Sequence, residues 1–95
     1  MRLDTDKATF LTSLIKTCLP QSKIYLFGSR VDESKKGGDI DILIIDEREL
    51  SREEKAQIEF AFFQRFGEQK LDLVSFRSDD NSVFRKLSEL EAVAL

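Results

Sequence analysis

One short stretch of the chain limits its fold more than any other. Residues 39–45 read Asp-Ile-Asp-Ile-Leu-Ile-Ile, an apolar run that is broken only by Asp41. A near-continuous apolar run of this length is typical of a strand that is buried on both faces. The stretch therefore predicts a β-sheet with helices packed against it.

A helix and a strand are expected before this stretch. Apolar residues recur at helical spacing from Ala8 to Leu19, which predicts a helix over residues 5–18. Pro20 ends it, because the residue before a proline disfavours the helical conformation. Residues 23–27 are rich in β-branched and aromatic side chains, so they are expected to form a short strand.

A second helix is expected after the stretch. Ser51 and Glu54 have the spacing of a capping box, which predicts a helix over residues 52–66 with Gly67 as its left-handed C-cap. Two apolar stripes run along this helix: Ala56, Phe60 and Phe63 form one, and Ile58, Phe62 and Phe66 form the other. One stripe is expected to pack on the sheet, and the other either fills more of the core or serves as a docking face.

The last third of the chain predicts one more strand and one more helix. The strand covers residues 70–76, and Asp72 shares a face with Val74 and Phe76. Residues 78–82 are rich in capping residues and lead into a C-terminal helix whose apolar positions extend to Ala94. The predicted fold class is α+β: a small mixed β-sheet with α-helices packed against it.

Composition sets the outer limits. The chain has 95 residues with an apolar fraction of 41%, which predicts a single globular domain over residues 1–95. No apolar run is long enough to span a bilayer, and the N-terminus has no secretion signal. The single Cys18 cannot form an internal disulfide, which fits a reducing, cytoplasmic location.

Charge and the absence of histidine exclude several function classes. The net charge is −3, from 15 basic and 18 acidic residues without a basic block, so direct nucleic-acid binding is not expected. The lack of any His removes Ser-His-Asp triads, His-based acid–base catalysis and most zinc sites. Chemistry must therefore use carboxylates, Lys, Arg, hydroxyl groups or a hard metal ion.

Three aspartates are the candidate catalytic and metal-binding residues. Asp39 and Asp41 lie two positions apart on one strand face and repel each other unless a cation lies between them. Asp39 alone is equally explained as a polar residue at the start of a strand, whereas Asp41 interrupts a large apolar run, where a charge is costly without a partner. If the strand of Asp72 is adjacent, three carboxylates meet, and such a set can hold two metal ions for nucleotidyl transfer.

The turn before the strand supplies a candidate phosphate site. Gly28 follows the first predicted strand and lets the backbone approach a phosphate closely, while Ser29 and Arg30 add a hydroxyl donor and a positive charge. An ordinary turn with a capping serine explains the same two residues Gly28 and Ser29.

Together these motifs resemble the DNA polymerase β nucleotidyltransferase superfamily. The resemblance lies in Leu-Phe-Gly-Ser-Arg at 26–30, nine residues between Ser29 and Asp39, Asp-Ile-Asp-Ile-Leu at 39–43, and Leu-Asp-Leu at 71–73. The short chain is most similar to the minimal nucleotidyltransferases, which act as antitoxins of HEPN toxins.

The resemblance implies a polymerase β-like fold and a division of roles. Gly28, Ser29 and Arg30 would bind the nucleotide, Asp39 and Asp41 would coordinate two Mg2+ ions, and Asp72 would complete the site. It further implies transfer of AMP from ATP to a hydroxyl group, namely a tyrosine of a partner HEPN toxin, in a cytoplasmic toxin–antitoxin system.

Two other functions fit the same sequence. The first is a binding antitoxin that caps its partner without catalysis, and the second is a subunit of a small-molecule nucleotidyltransferase of the aminoglycoside-modifying type. Both homo- and hetero-oligomers are compatible with the sequence.

Overall fold

The computed structural model describes residues 5–27, 40–67, 69–83, 87 and 92–95 of the chain. These residues form two helices and four strands: α1 (Thr5–Cys18), β1 (Lys23–Phe27), β2 (Ile40–Asp46), α2 (Arg52–Phe66), β3 (Leu71–Arg77) and β4 (Val93–Ala94). The strands make one mixed sheet in the order β3-β2-β1-β4. The central strand β2 runs antiparallel to β1 and parallel to β3. The predicted α+β class with a small mixed sheet is confirmed.

Different parts of the chain pack against the two faces of the sheet. Because side chains alternate along a strand, even positions of β1 and β2 and odd positions of β3 share one face, which we call the helix face. Its buried residues pack with those of α1 and α2 in one core cluster: Leu11, Ile15, Ile24, Leu26, Ile40, Ile42, Ile44, Ile58, Phe62, Leu71 and Leu73. Both helices therefore lie on the same side of the sheet.

The opposite face carries the candidate site, and we call it the carboxylate face. Away from the aspartates it is apolar, with Leu43 and Ile45 packed against Val83 from the segment after β3. Tyr25, Phe27, Val74, Phe76 and Leu87 are the partly buried residues that surround this second cluster. Burial of β2 on both faces agrees with the near-continuous apolar run from which the sheet was predicted.

The ends of α2 follow the expected chemistry at one end and depart from it at the other. Ser51 Oγ accepts the Glu54 N–H at 3.1 Å, and Glu54 Oε1 accepts the Ser51 N–H at 2.8 Å, so the capping box is confirmed. Gly67 has a positive φ of 86°, but its ψ of 174° is extended rather than left-handed helical. The predicted left-handed C-cap is wrong in this respect, because the backbone of Gly67 turns away from the helical ψ at that residue.

Hydrogen bonds from Arg48 and from the Leu50 N–H fix the connection between β2 and α2. The Arg48 guanidinium donates to both Glu54 carboxylate oxygens at 2.8 and 2.9 Å, and to the Cys18 carbonyl oxygen at 3.1 Å. The Leu50 N–H donates to the buried Ser75 Oγ at 2.9 Å. The connection is thereby attached to the end of α1 and to β3.

The end of the chain differs from the sequence prediction. Ser82, Val83 and Leu87 are helical as expected. The expected C-terminal helix does not extend to Ala94, because Val93 and Ala94 form β4 against the edge of β1. The Leu95 N–H donates to the Ile24 carbonyl oxygen at 2.9 Å and continues this pairing. Backbone groups at the free edge of β1 need hydrogen-bond partners, and this requirement outweighs the helical spacing of the last residues.

Neither of the helices in the described part of the chain has the length and hydropathy of a membrane span.

Candidate active site

The central observation is a row of three residues across the carboxylate face. Asp41 of β2 pairs in register with Asp72 of β3 on one side and with Phe27 of β1 on the other. Neighbouring strands lie about 4.8 Å apart, so the two carboxylates project side by side from adjacent strands. The condition stated for Asp72, that its strand lies next to the strand of Asp41, is met.

The strand ends at this end of the sheet adjoin the other predicted site residues in sequence. Phe27 ends β1, Ile40 begins β2 and Leu71 begins β3, and the Ile40 N–H donates to the Lys70 carbonyl oxygen at 2.9 Å. The predicted nucleotide-binding residues and the first aspartate, Gly28, Ser29, Arg30 and Asp39, lie outside the described residues. Their roles stay predictions.

The two described carboxylates differ in exposure. Asp41 is half-buried and Asp72 is exposed, although they occupy equivalent positions in the register. The apolar run around Asp41 suggested a buried charge, and the intermediate exposure places the carboxylate at the rim of the apolar cluster. A carboxylate at that depth is accessible to a ligand and is still flanked by apolar side chains.

The donor set suits a hard cation. Asp41 and Asp72 offer only oxygen ligands, which Mg2+ prefers, and the chain contains no His that would favour zinc. Two side-by-side carboxylates are electrostatically unfavourable without a positive charge, so the pair fits a divalent ion on chemical grounds. Within the described ranges no cluster of three or more Asp, Glu, Cys or His residues is found, and Asp39, the third ligand predicted for the metal, lies outside those ranges.

A concave region lies at the opposite end of the sheet from Asp41 and Asp72. It is an open cavity of about 930 Å³ between the end of α1 and the loop after β2, and Cys18, Tyr25 and Arg48 are among its lining residues. It contains neither Asp41 nor Asp72. Its size therefore does not make it the candidate active site, because the paired carboxylates are elsewhere.

The charged groups beside this cavity, Arg48 and Glu54, form hydrogen bonds that hold the fold together. The hydrogen bonds from Arg48, followed by the Ser51 N–H, lower the pKa of Glu54 from its ordinary value of 4.5 to about 2. Burial, followed by the negative charge of Glu54, raises the pKa of the Cys18 thiol. A thiol with a raised pKa carries less reactive thiolate, so Cys18 is not a candidate nucleophile.

The two apolar stripes on α2 differ in burial. Ile58 and Phe62 are buried, and Phe66 packs edge-on against Phe10 of α1 with ring centroids 5.5 Å apart. Phe63 of the other stripe also packs against the core, which leaves Phe60, 58% exposed, as its outward-facing aromatic residue. The expected docking stripe is thus smaller than the sequence indicated.

The comparison with known proteins decides the family. A family model described as polymerase beta, nucleotidyltransferase matches residues 12–91, which include Asp41, Asp72 and both strands that carry them. The chain belongs to this family. It is therefore a nucleotidyltransferase, as the sequence resemblance implied.

A solved structure shows the same fold. One chain of the crystal structure of a mutant toxin-antitoxin pair, MntA-HpeT, matches with a TM-score of 0.69 and 22% sequence identity. The match covers 98% of this chain and 72% of the other. At this identity the similarity establishes the fold. Among curated proteins, none matches the sequence significantly.

Proposed function

We propose that this nucleotidyltransferase transfers AMP from ATP to a hydroxyl group of a partner toxin and thereby acts as its antitoxin. The observation that carries the proposal is the register pairing of Asp41 with Asp72, because it brings two carboxylates together. They lie at the end of the sheet where β1 ends, and Gly28 and Ser29 are the next residues in the sequence. Family membership supplies the reaction class. The fold similarity to a chain of a toxin-antitoxin pair supports the antitoxin role.

Each site residue has a proposed part. Asp39, Asp41 and Asp72 would hold Mg2+, with two ions expected, while Gly28, Ser29 and Arg30 would bind the triphosphate. Bound Mg2+ would supply charge neutralisation for the phosphoryl oxygens. Asp72 is the more exposed of the two described site carboxylates and would orient the acceptor hydroxyl or accept its proton.

The proposed acceptor is a tyrosine of a HEPN-domain toxin. In the described sheet Asp72 is exposed on the edge strand β3, where a hydroxyl group of another protein can reach it. An acceptor presented by a partner protein fits this arrangement. A free Cys18 is compatible with a reducing cytoplasm as the place of action.

The test is intact-mass analysis of the partner. The chain is incubated with a HEPN-domain partner, ATP and Mg2+, and the partner is expected to gain the mass of AMP. Asp72→Asn should abolish the adduct, whereas Asp79→Asn, which changes an exposed aspartate beyond the other end of β3, should not.

Two results would contradict the proposal. If none of the divalent metals tried supports formation of the AMP adduct, the proposed reaction is refuted. A chain with Asp39→Ala and Asp41→Ala that still neutralises the toxin in cells would show that contact alone is sufficient, as in a binding antitoxin.

A further inference from the structure

The row that holds the carboxylates also holds an aromatic residue. Phe27 is the register partner of Asp41 on the side away from Asp72, and it is the last residue of β1. It is partly buried and packs with the apolar cluster of the carboxylate face. Asp41 is therefore flanked by a ring on one side and by a carboxylate on the other.

Asp41 and Asp72 differ in exposure although they are register partners. Asp72 lies on the edge strand β3, whereas Asp41 has a strand on each side. Side chains that pair directly across strands have Cβ atoms about 5 Å apart, which is within reach of an aromatic ring. Phe27 is thus the aromatic residue placed to shield Asp41 from water on the β1 side.

An apolar neighbour of this kind has two physical effects on a carboxylate. It disfavours rotamers that turn the carboxylate toward the ring, which raises the share of rotamers that face Asp72. It also lowers the effective dielectric on that side, and this strengthens the attraction between the carboxylate and a bound cation. Neither effect requires the ring to touch the nucleotide.

We propose that Phe27 is a positioning residue of the transfer site, which closes the β1 side of Asp41 and directs its carboxylate toward Asp72. The inference rests on the proposed metal-binding function of this pair. It assigns to Phe27 a role in metal affinity in addition to its packing.

Phe76 provides a matched control. It lies on the same face and in the same apolar cluster, and it is also partly buried. Its register partner is Ile45, four positions along β2 from Asp41, or about 13 Å at the rise of a strand. Truncation of Phe76 removes comparable packing without affecting the surroundings of the carboxylates.

The experiment measures Mg2+ binding to the full 95-residue chain by calorimetric titration, supported by the shift of the unfolding temperature with Mg2+. Phe27→Ala is expected to weaken Mg2+ affinity about tenfold, the size typical for residues that orient metal ligands. Phe27→Leu keeps an apolar wall and should restore affinity to within about twofold of the wild type, as should Phe76→Ala. Equal Mg2+ affinity in Phe27→Ala and Phe76→Ala would overturn the proposal.

A third substitution at position 27 provides a test that does not depend on the folding of Phe27→Ala. If Phe27→Ala does not fold, Phe27→Val, which suits a strand but is shorter than Leu, should bind Mg2+ more weakly than Phe27→Leu. Equal affinity of these two variants would count against the role of Phe27.

Asp72→Asn distinguishes failure of the proposed metal site from failure of the proposed role of Phe27. If Asp72→Asn binds Mg2+ as the wild type does, the proposed metal site itself fails. If it loses binding while Phe27→Ala does not, only the role of Phe27 is refuted.

Discussion

Replacing Asp72 by Asn removes one charge of the carboxylate pair and keeps the shape of the side chain. Asp41 and Asp72 are direct register partners, so the charges lie about 5 Å apart by the spacing of adjacent strands. Coulomb's law gives a repulsion of about 0.8 kcal/mol at the dielectric constant of water and about 3 kcal/mol at a value of 20. Because Asp72 is exposed, the lower figure applies, and Asp72→Asn should stabilise the metal-free chain by about 1 kcal/mol.

Mg2+ should reverse this order. A ligand that binds only the folded state stabilises it by about 1.4 kcal/mol when its concentration is ten times the dissociation constant. The wild type is expected to gain this amount, and Asp72→Asn is expected to gain little. In a domain of this size, about 1 kcal/mol corresponds to a shift of about 4–8 °C in the unfolding temperature.

The assay is thermal or urea unfolding of both proteins with EDTA and with excess Mg2+. Asp79→Asn is the matched control, since it makes the same change in an exposed ion pair with Arg77 and should alter stability by less than about 1 kcal/mol under either condition. The reasoning is refuted if Asp72→Asn is less stable than the wild type in EDTA, or if it retains the full Mg2+ effect.

Three further predictions concern the scaffold. Phe62→Ala should lower the free energy of unfolding by about 3–5 kcal/mol, because Phe62 is fully buried between the helices and the sheet; urea denaturation measures this, and a loss below about 1 kcal/mol would contradict the packing. Gly67→Ala should cost about 1–3 kcal/mol in the same assay, since φ 86° with ψ 174° is a region that side chains avoid, even though no atom lies near the added Cβ; an unchanged stability would contradict that backbone conformation. The lowered pKa of Glu54 means that its contribution is complete above pH 4.5 and is lost as pH falls toward about 2. Glu54→Gln should remove about 1–2 kcal/mol of this acid-dependent stability after solvent screening of the Arg48 pair, and a pH profile of unfolding identical to the wild type would exclude the effect.

The elements predicted best are those whose signals are local. α1 and β1 begin and end where the sequence places them, and the capping box starts α2 at the expected residue. β2 ends one residue later than predicted, at Asp46, and its predicted first residue, Asp39, lies outside the described residues. β3 is displaced by one residue, to Leu71–Arg77, because pairing between strands sets its ends. The C-terminal segment was predicted least well, since β4 depends on the free edge of β1, which is distant in sequence.

The candidate site was predicted in part. Asp41 and Asp72 were identified as charges inside apolar strands, and their adjacency required the parallel pairing of β2 with β3. Phe27 was read only as a strand residue, because its place beside Asp41 is a matter of register rather than of sequence spacing. The exposure of Phe60 and the packing of Phe63 were likewise undecided by helical periodicity, which places both on one stripe.

The sequence by itself determined the reaction class and the mixed sheet of this protein. Aspartates placed within apolar strands, the Gly-Ser pair and the absence of histidine are properties of residue type and spacing, and these determine the chemistry available. The tertiary structure decided which residues meet. Register and strand order join positions that are 14 and 31 residues apart, and they alone put Phe27, Asp41 and Asp72 in one row. Hydrogen bonds between strands and packing of the apolar cluster fix that row, and neither can be read from any single segment.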